Sequence, residues 1–512
     1  MTERIYLTTP LYYVNAEPHL GHTYTTVLVD TLARYHRSMG REVVFQTGTD
    51  EHGDKIAQAA DQNGNSSPKD YADRMSQLFR STWDQCGITY DNFIRTTEPY
   101  HVAFVQELLG KIHASGDIYF GEYGGNYCTG CERFYADREL VDGKCPDHQV
   151  EPVWIKEENY FFRMGNYQQR LLDHINANPD FIRPAGYRNE VLGLLREPLE
   201  DLCISRPKSR LQWGIELPFD SGYVTYVWFD ALLNYLSGLR KVRPEESETF
   251  WPTANHFIAK DILKPHAVFW PTMLMAAGLP LYQRLNVHGY WIMGDSKMSK
   301  SLGNIVRPLE MRDRYGLDSF RYFLLREMAF GMDSNFTEDA FVARFNADLS
   351  NGLGNLTSRV LAMQQHYFDG HIQKLSGDLT DMEAALRDAF LTAEDNLKKH
   401  VEEMSLHLAL ADVWKAIAAC DKYIVETAPF KLWKDEANKE RVGEILHVLC
   451  DAVRHTARLI EPFMPETAAR MAALLNTDLG DLGQQPPCWG QSFADGHLLS
   501  KPEALFPRIE TA

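Results

Sequence analysis

The first fifty residues alternate a buried strand, an amphipathic helix and a second buried strand. Residues 5–9 (IYLTT) are β-branched, aromatic or apolar and are followed by Pro10, as expected of a short strand. Residues 23–40 place apolar side chains on one helical stripe, and residues 42–47 (EVVFQT) predict a second strand. This strand–helix–strand order is typical of a βαβ unit. The sequence therefore predicts a parallel sheet with helices on its faces.

The segments that follow these two strands predict a ligand site. Ligands of parallel α/β sheets bind beyond the carboxyl ends of the strands, which places residues 10–22 and 48–53 together. The first segment contains His19-Leu20-Gly21-His22, with both imidazoles on one side of the first helical turn. Gly21 leaves room for a ligand, and the helix N-terminus favours anions. The pattern fits a cradle for nucleotide phosphates. Its plainer alternative is a pair of capping or solvent-facing histidines.

A second polar segment, Lys297-Met298-Ser299-Lys300-Ser301, has two lysines among small hydroxyl residues and lies between Gly294 and Gly303. Such a loop can close over a polyphosphate, and its ammonium groups can neutralise the charge that develops on leaving pyrophosphate. A short Lys/Ser segment on its own is usually a solvated surface loop. The histidine and lysine segments together are far more specific than either one.

Composition restricts the class of protein. The chain has 512 residues, of which 44% are hydrophobic and 24% are charged, so it is long enough for several folded domains. Its eight cysteines are too few for a disulfide scaffold. The longest uncharged stretch, residues 267–282, is interrupted by Pro and Gly and is too short to span a membrane. Because the N-terminus also lacks a secretory signal pattern, we expect a soluble protein of a reducing compartment.

Three cysteines and one histidine have the spacing of a metal site, Cys128-x₂-Cys131-x₁₃-Cys145-x₂-His148. Paired short spacings joined by a mid-length loop predict a tetrahedral zinc knuckle. Three thiolates and one imidazole leave no open position for water, so this zinc is expected to be structural. The alternative is a set of free thiols. The other five cysteines have no paired spacing and are expected to be core or surface thiols.

The second half of the chain is helical in pattern. Residues 341–476 have helical periodicity almost throughout, whereas the Gly- and Pro-rich tail beyond Asn476 predicts no regular fold. Asn355 and Arg359 are four residues apart and project from one helical face. Amide and guanidinium groups suit the base edges of unstacked loop nucleotides. From the residues alone, an ordinary pair on a helix surface is the favoured alternative.

Together, HLGH and KMSKS resemble the signature of the class I aminoacyl-tRNA synthetases, over essentially the whole chain. Within that class the sequence is most similar to the methionyl-tRNA synthetases of the bacterial type with a single zinc knuckle. The supporting segments are residues 10–15 (PLYYVN), 48–53 (GTDEHG), 226–231 (YVWFDA) and 260–266 (KDILKPH).

The resemblance implies an α/β fold: a split Rossmann-fold catalytic domain with an inserted zinc-bearing connective domain, followed by an all-α anticodon-binding helix bundle. The implied boundaries are 1–115 and 216–290 for the two Rossmann halves, 116–215 for the connective insertion, 291–340 for a KMSKS-bearing module, 341–476 for the bundle and 477–512 for a C-terminal tail.

The resemblance also implies the site residues. Catalysis is assigned to His19, His22, Lys297 and Lys300, and ATP binding to the same four residues with Gly21, Asp261 and Ser299. Methionine binding is assigned to Leu11, Tyr13, Asp50, Trp228, Ala231, Leu232, Tyr235, Ile262, His266 and Trp270, with Asp50 binding the ammonium group. Anticodon binding is assigned to Asn355, Arg359 and Phe430, and zinc binding to Cys128, Cys131, Cys145 and His148.

The implied reaction joins L-methionine to its tRNA through methionyl-adenylate, with Mg²⁺ bound to ATP and one structural Zn²⁺ per chain. The implied partners are ATP, L-methionine and tRNA(Met), for a cytoplasmic enzyme that does not bind membranes. No room remains after the bundle for the family's dimer-forming extension, so we expect a monomer. Two positions depart from the family pattern, which usually has Gly at Ala259 and Trp at Phe430.

Other functions share part of this pattern. A synthetase specific for cysteine, valine or isoleucine would share both signatures, although 512 residues do not accommodate the editing insertion of the branched-chain enzymes. The cysteine enzyme binds zinc within its amino-acid site, unlike the compact 128–148 knuckle. A nucleotidyltransferase without a tRNA role and a non-catalytic tRNA-binding paralogue are the remaining alternatives.

The formal net charge of −18 argues against binding nucleic acid through bulk charge. With tRNA as the partner, we expect local groups to contact it: residues 206–210 (RPKSR), Lys297 with Lys300, and the Arg359 face. Because the salt dependence scales with the number of phosphates neutralised, we expect it to be shallow.

Overall fold

The computed structural model describes residues 3–64, 67–131, 133–135, 137–146, 149–293, 296–297, 306–484 and 489–510. The chain forms two compact units. The first comprises Glu3–Val29 and Glu42–Gly289, and the second comprises Asp30–Arg41 and Tyr290–Ala512. The finer domain boundaries given above stay predictions.

The first unit is built on a parallel sheet, which confirms the fold class. Among the described residues this sheet has seven strands, six of them in the order Tyr12–Tyr13, Glu42–Asp50, Arg4–Thr8, Ala254–Ala259, Arg284–His288 and Ile182–Arg183. The seventh, Asn92–Arg95, also pairs with Glu42–Asp50. All these pairings are parallel, so the carboxyl ends of neighbouring strands meet at one edge of the sheet.

The first helix begins earlier in the chain than predicted, and the second strand ends later than predicted. Helix Leu20–Ser38 begins before position 23, because the N–H of Thr23 already donates to His19 O over 3.0 Å. Strand Glu42–Asp50 continues through Gly48, where a Cβ would overlap the carbonyl group of Ile94 on the neighbouring strand. The glycine therefore does not end the strand, and instead allows two backbones to approach closely.

Two smaller antiparallel sheets lie between residues 118 and 225. One has the strand order Arg133–Tyr135, Ile118–Cys128, Val153–Phe162 and Leu202–Cys203, and the other the order Ser205–Pro207, Asp220–Thr225 and Glu216–Leu217. The strand-like pattern of residues 222–229 was half wrong, because the strand ends at Thr225 and helix Val227–Ala231 follows. Val227 and Phe229 lie in that helix and their side chains are buried, so tertiary packing overrides their strand propensity.

The helices of the first unit cover its sheets and connect the strands. They are the α-helices Leu20–Ser38, Asp54–Gln62, Pro68–Gln85, Pro99–Ala114, Gln168–Ala177, Ala185–Leu194, Val227–Ala231, Asn234–Val242, Ser247–Phe250 and Trp270–Ala276, the 3₁₀ turns Asp137–Glu139, Met164–Tyr167, Trp251–Thr253 and Lys260–Ile262, and the π-helical Pro265–Phe269. The first α-helix ends in the second unit.

The second unit is mainly helical. Its α-helices are Pro308–Tyr315, Leu317–Glu327, Glu338–Arg344, Asn355–Phe368, Asp381–Glu402, Leu406–Thr427, Pro429–Leu432, Lys439–Ile460 and Pro465–Leu475, with π-helical Phe345–Gly354, the 3₁₀ turn Glu436–Asn438 and strands Trp291–Met293, Ser296–Lys297 and Ser334–Asn335. Within the predicted helical region 341–476, helices Asp381–Glu402 and Leu406–Thr427 are separated where Met404 has a φ of 60°. None of the described helices is both long enough and apolar enough to cross a membrane.

The tail beyond Asn476 has no helix or strand among its described residues, as expected, yet it is packed. The side chains of Trp489, Phe493, Leu499 and Leu505 are buried. Arg458, which is 2% exposed, donates to the carbonyl oxygens of Asp481, Leu482 and Gln484. Backbone–guanidinium bonds therefore replace regular secondary structure in holding this segment.

Candidate active site

The histidine segment lies at the start of the first helix. His19 precedes helix Leu20–Ser38, and the rings of His19 and His22 stack with centroids 3.8 Å apart. The N–H of Gly21 donates to His19 Nδ1 over 3.1 Å. A Cβ at Gly21 would lie 3.1 Å from His19 Cε1, so a side chain there would press on the ring. The first turn thus places two half-buried imidazoles beside the positive end of a helix, which suits phosphate oxygens.

Tyr12, which the sequence did not single out, holds this turn in place. Its hydroxyl donates to His22 O over 3.2 Å and lies 2.7 Å from Thr26 Oγ1. Its ring stacks on Phe79 with centroids 5.7 Å apart, and burial raises the pKa of its phenol. Tyr12 therefore orients the helix end that carries both imidazoles.

A third histidine, at the end of strand Arg284–His288, contacts the same helix. His288 Nδ1 lies 2.7 Å from Gly289 O, and its Nε2 lies 2.8 Å from Thr25 Oγ1. Because a carbonyl oxygen only accepts, Nδ1 carries the proton and Nε2 accepts from the Thr25 hydroxyl. Burial lowers the pKa of His288 to about 4, so the ring is neutral near pH 7.

The predicted methionine residues include a buried tyrosine–histidine pair. Tyr235 Oη lies 2.8 Å from His266 Nε2, and His266 Nδ1 lies 2.9 Å from Ile262 O. The carbonyl must accept from Nδ1–H, so Nε2 accepts from the Tyr235 hydroxyl. Burial lowers the pKa of His266 to about 4. The pair therefore forms a neutral aromatic wall, which suits a thioether better than a charged side chain.

A further buried histidine supports this wall from strand Ala254–Ala259. The ring of His256 stacks on Tyr235 with centroids 4.1 Å apart, and its Nε2 accepts from Trp270 Nε1 over 3.3 Å. Its Nδ1 lies 2.8 Å from Thr8 Oγ1. Burial holds the pKa of His256 well below its usual value. One neutral imidazole thus fixes two of the predicted methionine-binding aromatic residues.

All ten predicted methionine residues lie in the first compact unit. Besides the buried Tyr235, His266 and Trp270, the buried members are Asp50, Ala231 and Leu232, and the half-buried members are Leu11, Tyr13, Trp228 and Ile262. Trp228 meets His266 edge-on, with ring centroids 6.0 Å apart. Asp261, the predicted ribose-binding residue, is exposed in the turn that directly follows strand Ala254–Ala259.

The loop that begins at Asp50 is tightly held. Glu51 accepts from Arg95 Nε and Nη2 over 2.7 and 2.8 Å, so the two side chains form a bidentate ion pair. Trp213 Nε1 donates to Glu51 O, and the N–H of Gly53 donates to Trp213 O over 3.3 Å. These contacts fix the backbone of the residues that directly follow Asp50. Asp50 is the residue predicted to bind the ammonium group.

Three of the four predicted zinc ligands lie together. The Sγ atoms of Cys128, Cys131 and Cys145 all lie within 4.8 Å of one another, and those of Cys131 and Cys145 are 3.4 Å apart. Strands Ile118–Cys128 and Arg133–Tyr135 pair beside them. Three converging thiols could hold a metal ion, and they fit three of the four ligands of the predicted zinc knuckle. His148, the fourth predicted ligand, lies outside the described residues.

The lysine segment is largely outside the described part of the chain. Ser299 and Lys300 lie outside the described residues, and Lys297 is the last residue of strand Ser296–Lys297. Their predicted roles in binding ATP stay predictions.

The expectation that residues 206–210 contact tRNA was wrong for Arg206. This side chain is 2% exposed, and its Nη1 donates to Ser205 O over 2.7 Å. Its guanidinium lies over the rings of Tyr127 and Tyr226, at 5.1 and 5.0 Å from their centroids. A cation enclosed by ring faces and a carbonyl cannot reach a phosphate on the surface. Its role is to pack the insertion against the strand that precedes the Trp228 helix.

The predicted anticodon residues all lie in the second unit. Asn355 is exposed at the first position of helix Asn355–Phe368, and Arg359 Nη1 lies 3.2 Å from Asp421 Oδ1. Phe430 is 45% exposed in helix Pro429–Leu432. An exposed amide, a half-exposed guanidinium and an exposed phenyl ring can hydrogen-bond and stack on unpaired bases.

A π-helical segment, Phe345–Gly354, leads directly into the helix that carries Asn355. Trp414 Nε1 donates to Asp348 O over 3.0 Å, so part of the irregular backbone is satisfied from another helix. π-helical turns occur frequently at functional sites, because they rotate the residues that follow relative to a regular helix.

The polar residues that sequence reasoning missed act behind the predicted ones. His256 and Arg95 lie in none of the segments quoted above, and Tyr12 lies in segment 10–15 without a predicted role. Each of the three contacts a predicted residue or its loop. The only available signal was their place in or next to the ends of strands that were expected to meet at one edge.

Comparison with known families agrees with this geometry. The family model described as tRNA synthetases class I (M) matches residues 5–152 and 148–361, and the anticodon binding domain of methionyl tRNA ligase matches residues 375–512. The methionine--tRNA ligase of Caldanaerobacter subterraneus subsp. tengcongensis is 42% identical over all of this chain and 80% of that protein. That of Bacillus subtilis is 42% identical over 99% of this chain and 78% of its own length.

Solved structures give the same result. The Mycobacterium tuberculosis methionyl-tRNA synthetase in complex with methionyl-adenylate superposes with a TM-score of 0.93, at 38% identity, over 99% of this chain and 100% of that chain. The apo form of that enzyme superposes with a TM-score of 0.86, at 36% identity, over 100% of this chain and 99% of that chain. Sequence and fold agree, and this chain belongs to the methionyl-tRNA synthetase family of class I aminoacyl-tRNA synthetases.

Proposed function

We propose that this chain ligates L-methionine to its tRNA through methionyl-adenylate, with ATP as the energy source and pyrophosphate and AMP as products. The observation that carries the proposal is that the first compact unit holds two features together. They are the stacked His19–His22 pair at a helix N-terminus and the neutral aromatic wall of Tyr235 and His266. A phosphate cradle and a thioether-compatible pocket are the two parts that methionine activation needs.

In the first step the methionine carboxylate attacks the α-phosphate of ATP. No side chain is needed as a covalent nucleophile, so the protein contributes position and charge. His19, Gly21 and His22 bind phosphate oxygens at the helix N-terminus, and Asp261 binds the ribose hydroxyls. Lys297, Ser299 and Lys300 bind the departing pyrophosphate, and the Mg²⁺ that ATP carries would neutralise charge on the same phosphates.

The methionine side chain packs against Trp228, Tyr235 and His266, and the ammonium group binds Asp50. Tyr235 and His266 are already hydrogen-bonded to each other, so their shared face is shape-selective and accepts an apolar thioether. Rejection of leucine and isoleucine then rests on packing, which is worth about 1–3 kcal/mol for each methylene-sized misfit.

The metal and the oligomeric state complete the proposal. Cys128, Cys131, Cys145 and His148 hold one structural Zn²⁺, which stabilises the turn between the strands of the insertion. The chain acts as a monomer in the cytoplasm. Light scattering at micromolar concentration tests the monomer, because a stable dimer contradicts it.

In the second step the terminal adenosine hydroxyl of the tRNA attacks the adenylate. Asn355, Arg359 and Phe430 select the tRNA by its anticodon. The test is aminoacylation of two transcripts of tRNA(Met) that differ only in one anticodon base. We expect charging of the unaltered transcript and a loss of about ten- to a hundredfold in kcat/KM for the altered one, as expected for base-edge readout. Equal charging of both transcripts would overturn the anticodon role.

A further inference from the structure

A carboxylate that belongs to none of the predicted ligand sets is buried between two imidazoles. Asp230 Oδ2 lies 2.7 Å from His52 Nδ1, and Asp230 Oδ1 lies 2.8 Å from His101 Nε2. His101 Nδ1 in turn lies 2.7 Å from Ser237 Oγ. All four residues are buried. They come from three helices and the loop after strand Glu42–Asp50, so the network joins distant parts of the chain.

The ionised carboxylate fixes the direction of the hydrogen bonds between Asp230 and the two imidazoles. Burial alone raises the pKa of Asp230, but the imidazoles of His52 and His101 outweigh this and hold the pKa below its usual value. The carboxylate is therefore ionised near pH 7 and only accepts. Both imidazoles donate to it, and His101 Nδ1 lies 2.7 Å from Ser237 Oγ, which also lies 3.4 Å from Asn234 O. Each oxygen of the buried charge thus has a hydrogen-bond donor.

The network connects two walls of the methionine site. His52 is two residues beyond Asp50, and its carbonyl oxygen accepts from the Tyr13 hydroxyl over 2.8 Å. Asp230 lies in helix Val227–Ala231, next to the predicted binding residues Trp228 and Ala231. The carboxylate therefore ties the loop of the ammonium-binding residue to the helix of the side-chain-binding residues.

We propose that Asp230 is a positioning residue, which sets the distance between the ammonium site at Asp50 and the side-chain wall at Trp228 through its hydrogen bond to His52. The proposal rests on the proposed function, because it assigns both walls to methionine. Asp230 is 1% exposed, so it acts on the site through its neighbours. The ion pair of Glu51 with Arg95 holds the loop after Asp50 to the sheet. Among these three side chains, only Asp230 connects that loop to the helix that carries Trp228.

The first test compares steady-state constants of ATP–pyrophosphate exchange. Asp230→Ala removes both acceptors, and we expect it to raise KM for methionine at least about tenfold with KM for ATP within about twofold. Ser205→Ala is the matched control, since Ser205 is buried and hydrogen-bonded to Asn159 but lies outside this network. Equal increases in both KM values, or no increase for methionine, would overturn the proposal.

Asp230→Asn separates hydrogen bonding from charge. Its carbonyl oxygen can still accept from His52, and its amide can donate to His101 Nε2 when the His101 proton moves to Nδ1 and is donated to Ser237 Oγ. We expect this variant to stay within about threefold of the parent. Ser237→Ala is also expected to have a small effect, because it leaves the hydrogen bond between Asp230 and His52 in place. A single Asp230→Asn change as severe as Asp230→Ala would refute positioning by hydrogen bonds.

A ligand pair keeps the test informative if Asp230→Ala is poorly folded. The probe is 4-(methylthio)butanoate, which is methionine without its ammonium group and therefore has no group for Asp50 to bind. We expect its inhibition constant to be similar in the parent and in Asp230→Ala, whereas methionine binds the variant more weakly. Equal weakening of both ligands, with a lowered melting temperature, would show a general structural role. Failure of the parent to exchange with methionine would instead refute the proposed function.

Discussion

Arg359 Nη1 lies 3.2 Å from Asp421 Oδ1, and both side chains are about one-third exposed, at 37% and 35%. A partly exposed pair of this kind contributes little to stability, typically about 0–1 kcal/mol. The pair holds the guanidinium in one orientation on the surface of its helix. Replacement of Arg359 therefore tests recognition and not folding.

Arg359→Ala is expected to lower kcat/KM for tRNA aminoacylation by about ten- to a hundredfold, as expected for loss of a bidentate base contact. ATP–pyrophosphate exchange stays within about twofold, because it does not need tRNA. Arg387→Ala is the matched control. Arg387 forms an exposed ion pair with Asp388 within helix Asp381–Glu402, which belongs to the same unit but does not carry Arg359. Equal loss of exchange and aminoacylation in Arg359→Ala would contradict a role in tRNA recognition.

Gly21→Ala is expected to lower the rate of methionyl-adenylate formation at least about tenfold, since a misplaced phosphate ligand raises the barrier. The added methyl group would lie 3.1 Å from His19 Cε1 and would displace the ring that stacks on His22. Gly186→Ala serves as the control, because a Cβ there meets nothing within 4 Å in helix Ala185–Leu194. Unchanged exchange by Gly21→Ala would show that the His19 position does not matter.

Cys145→Ser is expected to reduce bound zinc from about one per chain towards none and to lower the melting temperature. The reason is that one of three converging sulfur atoms is lost. Elemental analysis of purified protein measures the metal. Cys86→Ser changes an equally buried cysteine outside the cluster and retains zinc. Full zinc content in Cys145→Ser would refute the ligand set.

Stability is expected to fall as the pH is lowered from 6.5 towards 4. His288 has a pKa of about 4 in the folded chain, against 6.5 for an exposed group. Between these values the unfolded chain binds a proton that the folded chain does not, so the free energy of unfolding decreases with falling pH. Urea titrations at several pH values measure this slope.

His288→Asn should remove about 2 kcal/mol of the change in unfolding free energy between pH 6.5 and 4.5, as linkage gives for one such group. Thr25→Val is the control, because it removes the hydroxyl partner of His288 and leaves the imidazole buried. It should lower stability by a similar amount at each pH and keep the slope. An unchanged slope in His288→Asn would contradict the assigned neutral state.

Local patterns predicted the parallel sheet, the helix that follows the first strand and the cysteine cluster. Each of these depends on residues close in sequence or on a regular period, as with Cys128 and Cys131 or the 42–47 strand. The residue-by-residue carry-over of the pocket came from resemblance. Composition and periodicity do not distinguish Tyr235 from a core aromatic residue.

The supporting contacts were not predictable in this way. His52 and Asp230 are 178 positions apart, and a carboxylate in a short aromatic segment gives no sign that it will be buried. Arg206 was misjudged for the opposite reason, since a charge next to another lysine and arginine suggests a surface strip. Burial by Tyr127 and Tyr226 is a tertiary property that no local pattern contains.

ATP–pyrophosphate exchange, run separately with each of the twenty amino acids, tests the central claim most directly. In the proposed function, Tyr235 and His266, which are hydrogen-bonded to each other, bind the methionine side chain and Asp50 binds its ammonium group. We predict strong exchange with L-methionine and at most weak exchange with the other nineteen. Exchange stimulated by cysteine or another amino acid, and not by methionine, would contradict the account.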